Sequence, residues 1–311
     1  MSGSRIGIHV PIMVDEVVDA LRAGEGGMFL DCTFGSGGHT KAILDANPDA
    51  WVVAMDRDAR AIKRGEALVT EYGERLELVH APFADVETAI SFRGFDGVLA
   101  DLGMSTDQLR EGRGFSFSDG GSFDMRMDES QGLSAQGFVN TAPEREIYLA
   151  LAEGGVGKNA RLIARIIARE RPFESGQQLA DVIKRSYLGK KGESRVHPAT
   201  VVFQAIRMRV NDELGQLEQL LESVPRVTKK GGRFAVITFH SIEDKVVAHR
   251  MRGWESGGSY PASWRGARTE SRIGKVINRR AIVPADSEIE ANPASRSARL
   301  RVVEFEQEFL K

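Results

Sequence analysis

The stretch Met28–Asp58 constrains this chain most. It reads MFLDCTFGSGGHTKAILDANPDAWVVAMDRD. A short apolar run ends in Asp31, a glycine turn follows at Phe34-Gly-Ser-Gly-Gly38, and His39 to Ala46 carries a helical pattern. A second apolar run, Trp51 to Met55, ends at Asp56. Strand, glycine turn, helix, strand and acid make the first crossover of a doubly wound α/β sheet. Glycines admit positive φ and carry no Cβ, so the backbone can approach a ligand closely. The helix behind them presents unpaired N–H groups. Asp56, at the carboxyl end of the second strand, stands where an acid accepts hydroxyl bonds from a ribose.

The dinucleotide pattern Gly-x-Gly-x-x-Gly is incomplete, because Thr40 holds its third glycine position. A nucleoside cofactor without a pyrophosphate, such as S-adenosylmethionine, needs only the close turn and the ribose acid. A plain connecting turn is the bland alternative, and a nicotinamide oxidoreductase is the rival enzyme class.

The 311 residues suffice for about two domains. Hydrophobic content of 41% and charged content of 28% are those of a globular protein. No apolar run reaches membrane-spanning length, and the first residues lack the apolar core of a signal peptide. The single cysteine, Cys32, forms no internal disulfide and suits a reducing cytoplasm. Net charge is -2, but unevenly spread: residues 1–100 hold 9 basic and 16 acidic side chains, residues 245–303 hold 12 and 5. That asymmetry suits a surface that meets a polyanion, and equally a solvated basic face.

Further along, Leu76 to Val79 reads as a third strand. Phe83 follows it, placed to wall an adenine or to join the core. Phe95 to Asp101 is a fourth strand, whose end lies at the switch point beside the first. Asp101 there faces the reacting end of a cofactor, or caps a turn. Phe115, Phe117 and Phe123, with Arg113 and Arg126, read as a loop able to stack bases and meet phosphates. Asp124 and Asp128 are a weak metal signal that salt bridges to arginine explain better, so no metal is expected. Residues 134–190 read as helices, with Arg161, Arg165 and Arg169 as one basic stripe. From His197 a single long helix is expected, its seam formed by Phe203, Ile206, Val210, Leu214, Leu217 and Leu221. Gln204, Arg207 and Asn211 form a polar stripe beside it. Lys229 to Gly232 reads as a turn and Phe234 to Phe239 as a fifth strand. It ends at His240, with a capping box expected from Ser241 and Asp244. Trp254, Tyr260 and Trp264 interleave with Arg265, Arg268 and Arg272, a composition suited to single-stranded RNA. Val276 to Val283 and Leu300 to Phe305 are the last two strands.

At this point the motifs resemble those of the bacterial 16S rRNA (cytosine-N4)-methyltransferase family (RsmH/MraW). The resemblance rests on His9-Val with Asp15-Glu16, Thr33-Phe-Gly-x-Gly-Gly-His39, Asp56-Arg-Asp58, Pro82-Phe83, Asp101-Leu-Gly103, Arg113-Gly-Phe-Ser-Phe117 and Asp124-Met-Arg-Met-Asp128. It continues through His197-Pro-Ala-Thr200, Phe203-Gln-Ala, Asn211-Asp-Glu-Leu214, Phe239-His-Ser-x-Glu-Asp244 and Asn292-Pro-x-Ser-Arg-Ser297. It implies a Rossmann-like S-adenosylmethionine-dependent methyltransferase sheet, mostly parallel with an antiparallel last strand. An all-helical substrate-recognition domain at 109–203 is inserted between 1–108 and 204–311. The implied donor is S-adenosyl-L-methionine and the acceptor a cytidine in the decoding region of 16S rRNA in the small ribosomal subunit. No membrane is involved, and both monomer and homodimer stand open. Carried over by motif, the cofactor residues are Gly37, Gly38, His39, Asp56, Phe83, Asp101 and Gln108. Asp101 and His240 are the catalytic candidates, Asp101 to orient the amine or the cofactor and His240 as contact or proton acceptor. Where the family usually has Val-Ser-Ser-Pro-Gln, this chain has Met104-Ser-Thr-Asp-Gln108, and the lost proline loosens that loop. A non-catalytic RNA-binding protein and a methyltransferase for small molecules or proteins are the remaining rivals.

Overall fold

Strands buried on both faces need unbroken apolar runs, and this chain supplies four: MFL, VVAM, VLA and FAVI. In the computed structural model they form the centre of one sheet. The structure describes residues 11–110, 112–117, 121, 123–187, 198–257 and 272–307. His9, His197, Tyr260, Trp264, Arg265 and Arg268 lie outside the described residues.

The chain divides into two compact units, Met1–Gly103 with Gly215–Lys311, and Met104–Leu214. In chain order the elements are α1 (Val14–Leu21), β1 (Gly27–Asp31), α2 (Gly38–Ala46), β2 (Ala50–Asp56), α3 (Ala59–Tyr72), β3 (Leu76–His80), α4 (Val86–Ala89) and β4 (Phe95–Asp101). Then come α5 (Thr106–Arg110), α6 (Ala135–Thr141), α7 (Glu144–Glu153), α8 (Ala160–Glu170), α9 (Gly176–Tyr187), α10 (Pro198–Val210) and α11 (Glu213–Val227). The chain closes with β5 (Thr228–Thr238), α12 (Ser241–Ser256), β6 (Gly274–Val276), α13 (Asp286–Ala291) and β7 (Arg299–Phe305).

The seven strands run in the order β3-β2-β1-β4-β5-β7-β6. β1 to β5 pair in parallel, and β7 is antiparallel to both β5 and β6. The order turns back between β1 and β4, which makes their carboxyl ends the switch point. Alternation divides the core: Leu30, Val53, Val98 and Val236 pack on one face, Phe29, Val52, Leu99 and Ala235 on the other. No helix among the described residues is long and apolar enough to cross a membrane.

The second unit is helical around its own core, with Phe123, Met125, Ile147, Leu151, Ile163 and Ile206 fully buried or nearly so. Here the expected aromatic loop is overturned. Phe115 and Phe123 belong to this core, and Phe117 packs edge-on against Phe203 at 5.4 Å. Arg113 is buried and donates to the carbonyls of Arg126 and Met127, while Arg126 is held by Asp124 at 2.8 Å. Three apolar rings in a short segment cost too much exposed area to leave in water when a helical core lies beside them.

The long helix expected from His197 is two helices. Asp212 takes a left-handed conformation, φ 49°, and the buried Asn211 turns its amide onto the Arg207 carbonyl at 3.0 Å. A residue in the left-handed region closes a helix at its carboxyl end. β5 begins at Thr228, so the expected turn at Lys229–Gly232 is part of the strand. β6 is only three residues long, because Asn278 replaces the backbone in the ladder. Its Nδ2 donates to the Leu300 carbonyl at 2.8 Å and its Oδ1 accepts from Val302 N at 2.7 Å. Trp254 is core as well, packed on Phe305 at 5.4 Å.

Candidate active site

Three of the parallel strands end in an acid: Asp31 on β1, Asp56 on β2 and Asp101 on β4. The side chains of Asp31 and Asp56 tie the turn and the start of α2 to the sheet. Asp56 Oδ2 accepts the Gly35 N–H at 2.7 Å and its Oδ1 accepts the Asp58 N–H at 2.8 Å. Each oxygen keeps a further lone pair. Burial pushes Asp56 up to about 6 against these two hydrogen bonds.

Asp31 is wholly buried. Its Oδ2 accepts from Thr40 Oγ1 at 2.7 Å and its Oδ1 from Thr33 N at 3.0 Å. Burial raises its carboxyl too. Thr33 Oγ1 in turn accepts the Asp101 N–H at 2.7 Å, so the ends of β1 and β4 are stitched by a hydroxyl. Asp31, Thr33 and Thr40 were read in the sequence as a strand end, a motif residue and a departure from the dinucleotide pattern, with no site role given to them. The signal was there, in a charged residue closing an apolar strand in the same manner as Asp56 and Asp101.

Gly37 is the left-handed N-cap of α2, φ 79°, and no side chain caps that helix. The first-turn N–H groups therefore have no intrahelical or capping partner. The glycines also serve packing. A Cβ on Gly37 would lie 2.5 Å from Leu68 Cδ1 and 2.8 Å from Phe34 Cζ, and one on Gly38 2.7 Å from Pro11 Cγ. The missing side chains leave room for protein at these two positions, and the turn folds tightly over Phe34.

His39 is buried, with Nε2 2.8 Å from the Ile12 carbonyl and Nδ1 3.6 Å from Asp101 Oδ2. Asp101 Oδ1 is buried and has no hydrogen-bond partner among the described residues. Burial pushes Asp101 up to about 6, His39 works against that, and the neighbouring Asp31 and Glu243 add to it. Phe83, half-buried, begins the turn after β3 and packs against the core on one sheet face.

His240 caps α12. Its Nδ1 accepts from Glu243 N at 3.4 Å, and Glu243 Oε2 accepts from Phe239 N at 3.0 Å and His240 N at 3.4 Å. The capping box is thus His240 with Glu243, one residue earlier than the expected Ser241 and Asp244. Asp244 is engaged elsewhere, by Arg301 at 2.6 Å and Arg299 at 3.2 Å. Gln108 lies in the second unit and works locally: its Oε1 accepts from Ser105 N at 3.1 Å, and its N–H reaches Ser105 Oγ at 3.2 Å. The structure therefore connects Gly37, Gly38, His39, Asp56 and Asp101 at one edge of the sheet.

The sequence model of the MraW methylase family matches residues 7–306. The chain belongs to the MraW methylase family. Among its relatives is the ribosomal RNA small subunit methyltransferase H of Citrifermentans bemidjiense, 42% identical over 310 residues, covering 95% of this chain and 98% of that one. The proteins of the same name from Granulibacter bethesdensis and Trichormus variabilis are 41% and 40% identical. They cover 97% and 96% of this chain, and 92% of their own length in each case. The sheet edge just described is where this chain has its acids and the uncapped start of α2.

Proposed function

We propose that this methylase transfers a methyl group from S-adenosyl-L-methionine to N4 of a cytidine in the decoding region of 16S rRNA. One observation carries the site assignment: a buried carboxylate oxygen, Asp101 Oδ1, is left without a partner at the switch point of a methylase sheet. A buried unpaired acceptor is costly, and it is kept where a ligand completes it. The relatives named for ribosomal RNA, alike over nearly their whole length, support the substrate.

The donor supplies an electrophilic methyl group on a sulfonium. The chain's residues do the rest. Asp56 uses the lone pairs left on its carboxylate for a ribose, the uncapped first turn of α2 at Gly37, Gly38 and His39 offers N–H groups, and Phe83 walls the base. Asp101 Oδ1 accepts an N–H of the cytidine amine. That bond holds the nitrogen lone pair toward the methyl group, and alignment of this kind is worth several kcal/mol of rate. The carboxylate then takes the proton that the amine must lose. Of the two roles foreseen for His240, contact or proton acceptor, its hydrogen bonds favour contact. With Nδ1 accepting from Glu243 N, the neutral ring carries its proton on Nε2, 3.2 Å from Glu243 Oε1. Nδ1 is taken by the cap and Nε2 is buried with no hydrogen-bond partner among the described residues, so His240 holds the head of α12 and keeps one N–H for a substrate contact. The target base must leave its stack, which suits a single-stranded or immature ribosomal site.

Mass spectrometry of 16S rRNA from cells with and without the gene tests the proposal. Loss of one methyl group on a decoding-region cytidine is expected. An unchanged methylation pattern rejects the substrate, and purified protein that binds a dinucleotide in place of the methyl donor rejects the site.

A further inference from the structure

The basic surplus of residues 245–303 is not used by the site above. Part of it lines a cleft of about 360 Å³ between α12 and the strand pair β6–β7, walled by Arg252, Glu255, Asn278, Arg279 and Arg301. A shallower hollow of about 490 Å³ continues from it past Asp244, Lys245 and His249, and shares Arg252 and Arg301. Together they make one trough along α12 from Lys245 to Glu255, about 15 Å of helix.

The acids in this trough are already committed. Asp244 is held by both Arg299 and Arg301, so that cluster stays cationic. Glu255 Oε1 accepts from Val276 N at 3.3 Å. Lys245, Arg252 and Arg279 are exposed, and among the described residues their side chains make no ion pair or hydrogen bond. Three unpartnered cations along one trough, backed by a fourth at Arg301, form a field that exposed acids do not cancel. The floor is apolar, from Met251 and Val276, and among the described residues no exposed aromatic lines it. Such a surface meets phosphates and does not stack bases. Its length suits a run of phosphates better than one ion.

We propose that this trough holds the phosphate backbone of the RNA substrate, starting about one helical turn along α12 from His240 and contacting the strand without reading its sequence. This rests on the proposed RNA substrate. The position explains the charge asymmetry: the acidic N-terminal part supplies the carboxylates of the methyl site, and the later basic part supplies the grip.

The test is RNA binding by the full chain against salt, from about 50 to about 200 mM. The probes are a 16S rRNA decoding-region fragment and an unrelated single-stranded RNA of equal length. The variants are Arg252→Gln with Arg279→Gln, and Lys245→Gln. Each lost phosphate contact on a single strand lowers the log–log slope by about 0.7, so the double variant is expected to lose about 1.4. Both RNAs should lose affinity alike, while thermal unfolding and S-adenosylmethionine affinity stay as in the wild type. A wild-type protein that binds RNA with the same salt slope as the variants overturns the trough and leaves the proposed function standing. A wild-type protein that binds no RNA overturns both. Inorganic phosphate that competes away variant-sensitive binding without any change in RNA slope would show an anion site only, and would also overturn the proposal.

Discussion

His39 Nδ1 faces Asp101 Oδ2 at 3.6 Å, while the opposite ring nitrogen is committed to the Ile12 carbonyl at 2.8 Å. A carbonyl only accepts, so Nε2 must carry a proton. In the neutral ring Nδ1 is then a bare lone pair turned toward a carboxylate. The contact is attractive only when one further proton sits on the pair, on the imidazole or on the acid. The free Oδ1 of Asp101 is the oxygen that remains to receive an amine.

This sets the pH dependence of methyl transfer. Asp101 acts as an acceptor when ionised, and burial has raised it from 3.8 to about 6. The rate is expected to climb as pH rises through about 6 and to level off above it. Asp101→Asn loses the proton acceptor, a change of about 100- to 10 000-fold in turnover, and its residual rate should be flat across that range. Single-turnover rates on small-subunit particles from mildly acid to mildly alkaline pH check this. A wild-type profile without the acid limb removes Asp101 from the reaction.

The same shift runs the opposite way for stability. The folded protein binds the Asp101 proton more tightly than the unfolded chain does, so the acid is least costly at low pH. Its cost appears as pH rises between 3.8 and about 6, and is complete at neutral pH. That rise corresponds to at most about 3 kcal/mol. Asp101→Asn is thus expected to stabilise the fold by about 1–3 kcal/mol at neutral pH, with the gain shrinking toward about pH 4. Urea unfolding of both proteins at the two pH values measures it, and a gain that does not depend on pH contradicts the burial of this charge.

Asp56 holds the glycine turn and is proposed to hold the ribose, and two substitutions separate these duties. Asp56→Asn keeps one carbonyl oxygen for the turn and loses the charge. It should weaken S-adenosylmethionine binding by about 10- to 150-fold, the worth of charged hydrogen bonds of about 1.5–3 kcal/mol. Asp56→Ala also frees the Gly35 and Asp58 N–H groups and should lower stability as well. Calorimetry with unchanged affinity in Asp56→Asn would dissociate this acid from the cofactor.

The parallel strands, the switch point and the acids Asp56 and Asp101 were legible because burial on both sheet faces forces long apolar runs, and a charge at the end of one stands out. The helices of the second unit were legible within residues 134–190, the stretch that holds α6 to α9. What was hidden depends on partners distant in sequence. Phe115 and Phe123 read as exposed aromatics because the helices that bury them lie far along the chain. The break between α10 and α11 was masked by an apolar seam that continues in phase across Asn211. His240 as a cap was masked by the commoner signature at Ser241.

Asn211 offers the sharpest test of that hidden layer. It is buried, its Oδ1 accepts from Met127 N at 2.7 Å, and its Nδ2 donates to the carbonyls of Met125 at 2.7 Å and Arg207 at 3.0 Å. Met125 itself has a left-handed backbone, φ 59°, which this amide helps to hold. Asn211→Ala leaves a buried N–H and a buried carbonyl unpaired, each worth about 1–3 kcal/mol, so a loss of about 2–6 kcal/mol is expected. Hydrogen exchange should speed up most at the Met127 amide, which loses its acceptor, and much less at the amides of β1 and β4. If unfolding shifted by less than about 0.5 kcal/mol, as for an ordinary surface change, Asn211 would be a helix stop and not the bond that closes the second unit's loop onto its core.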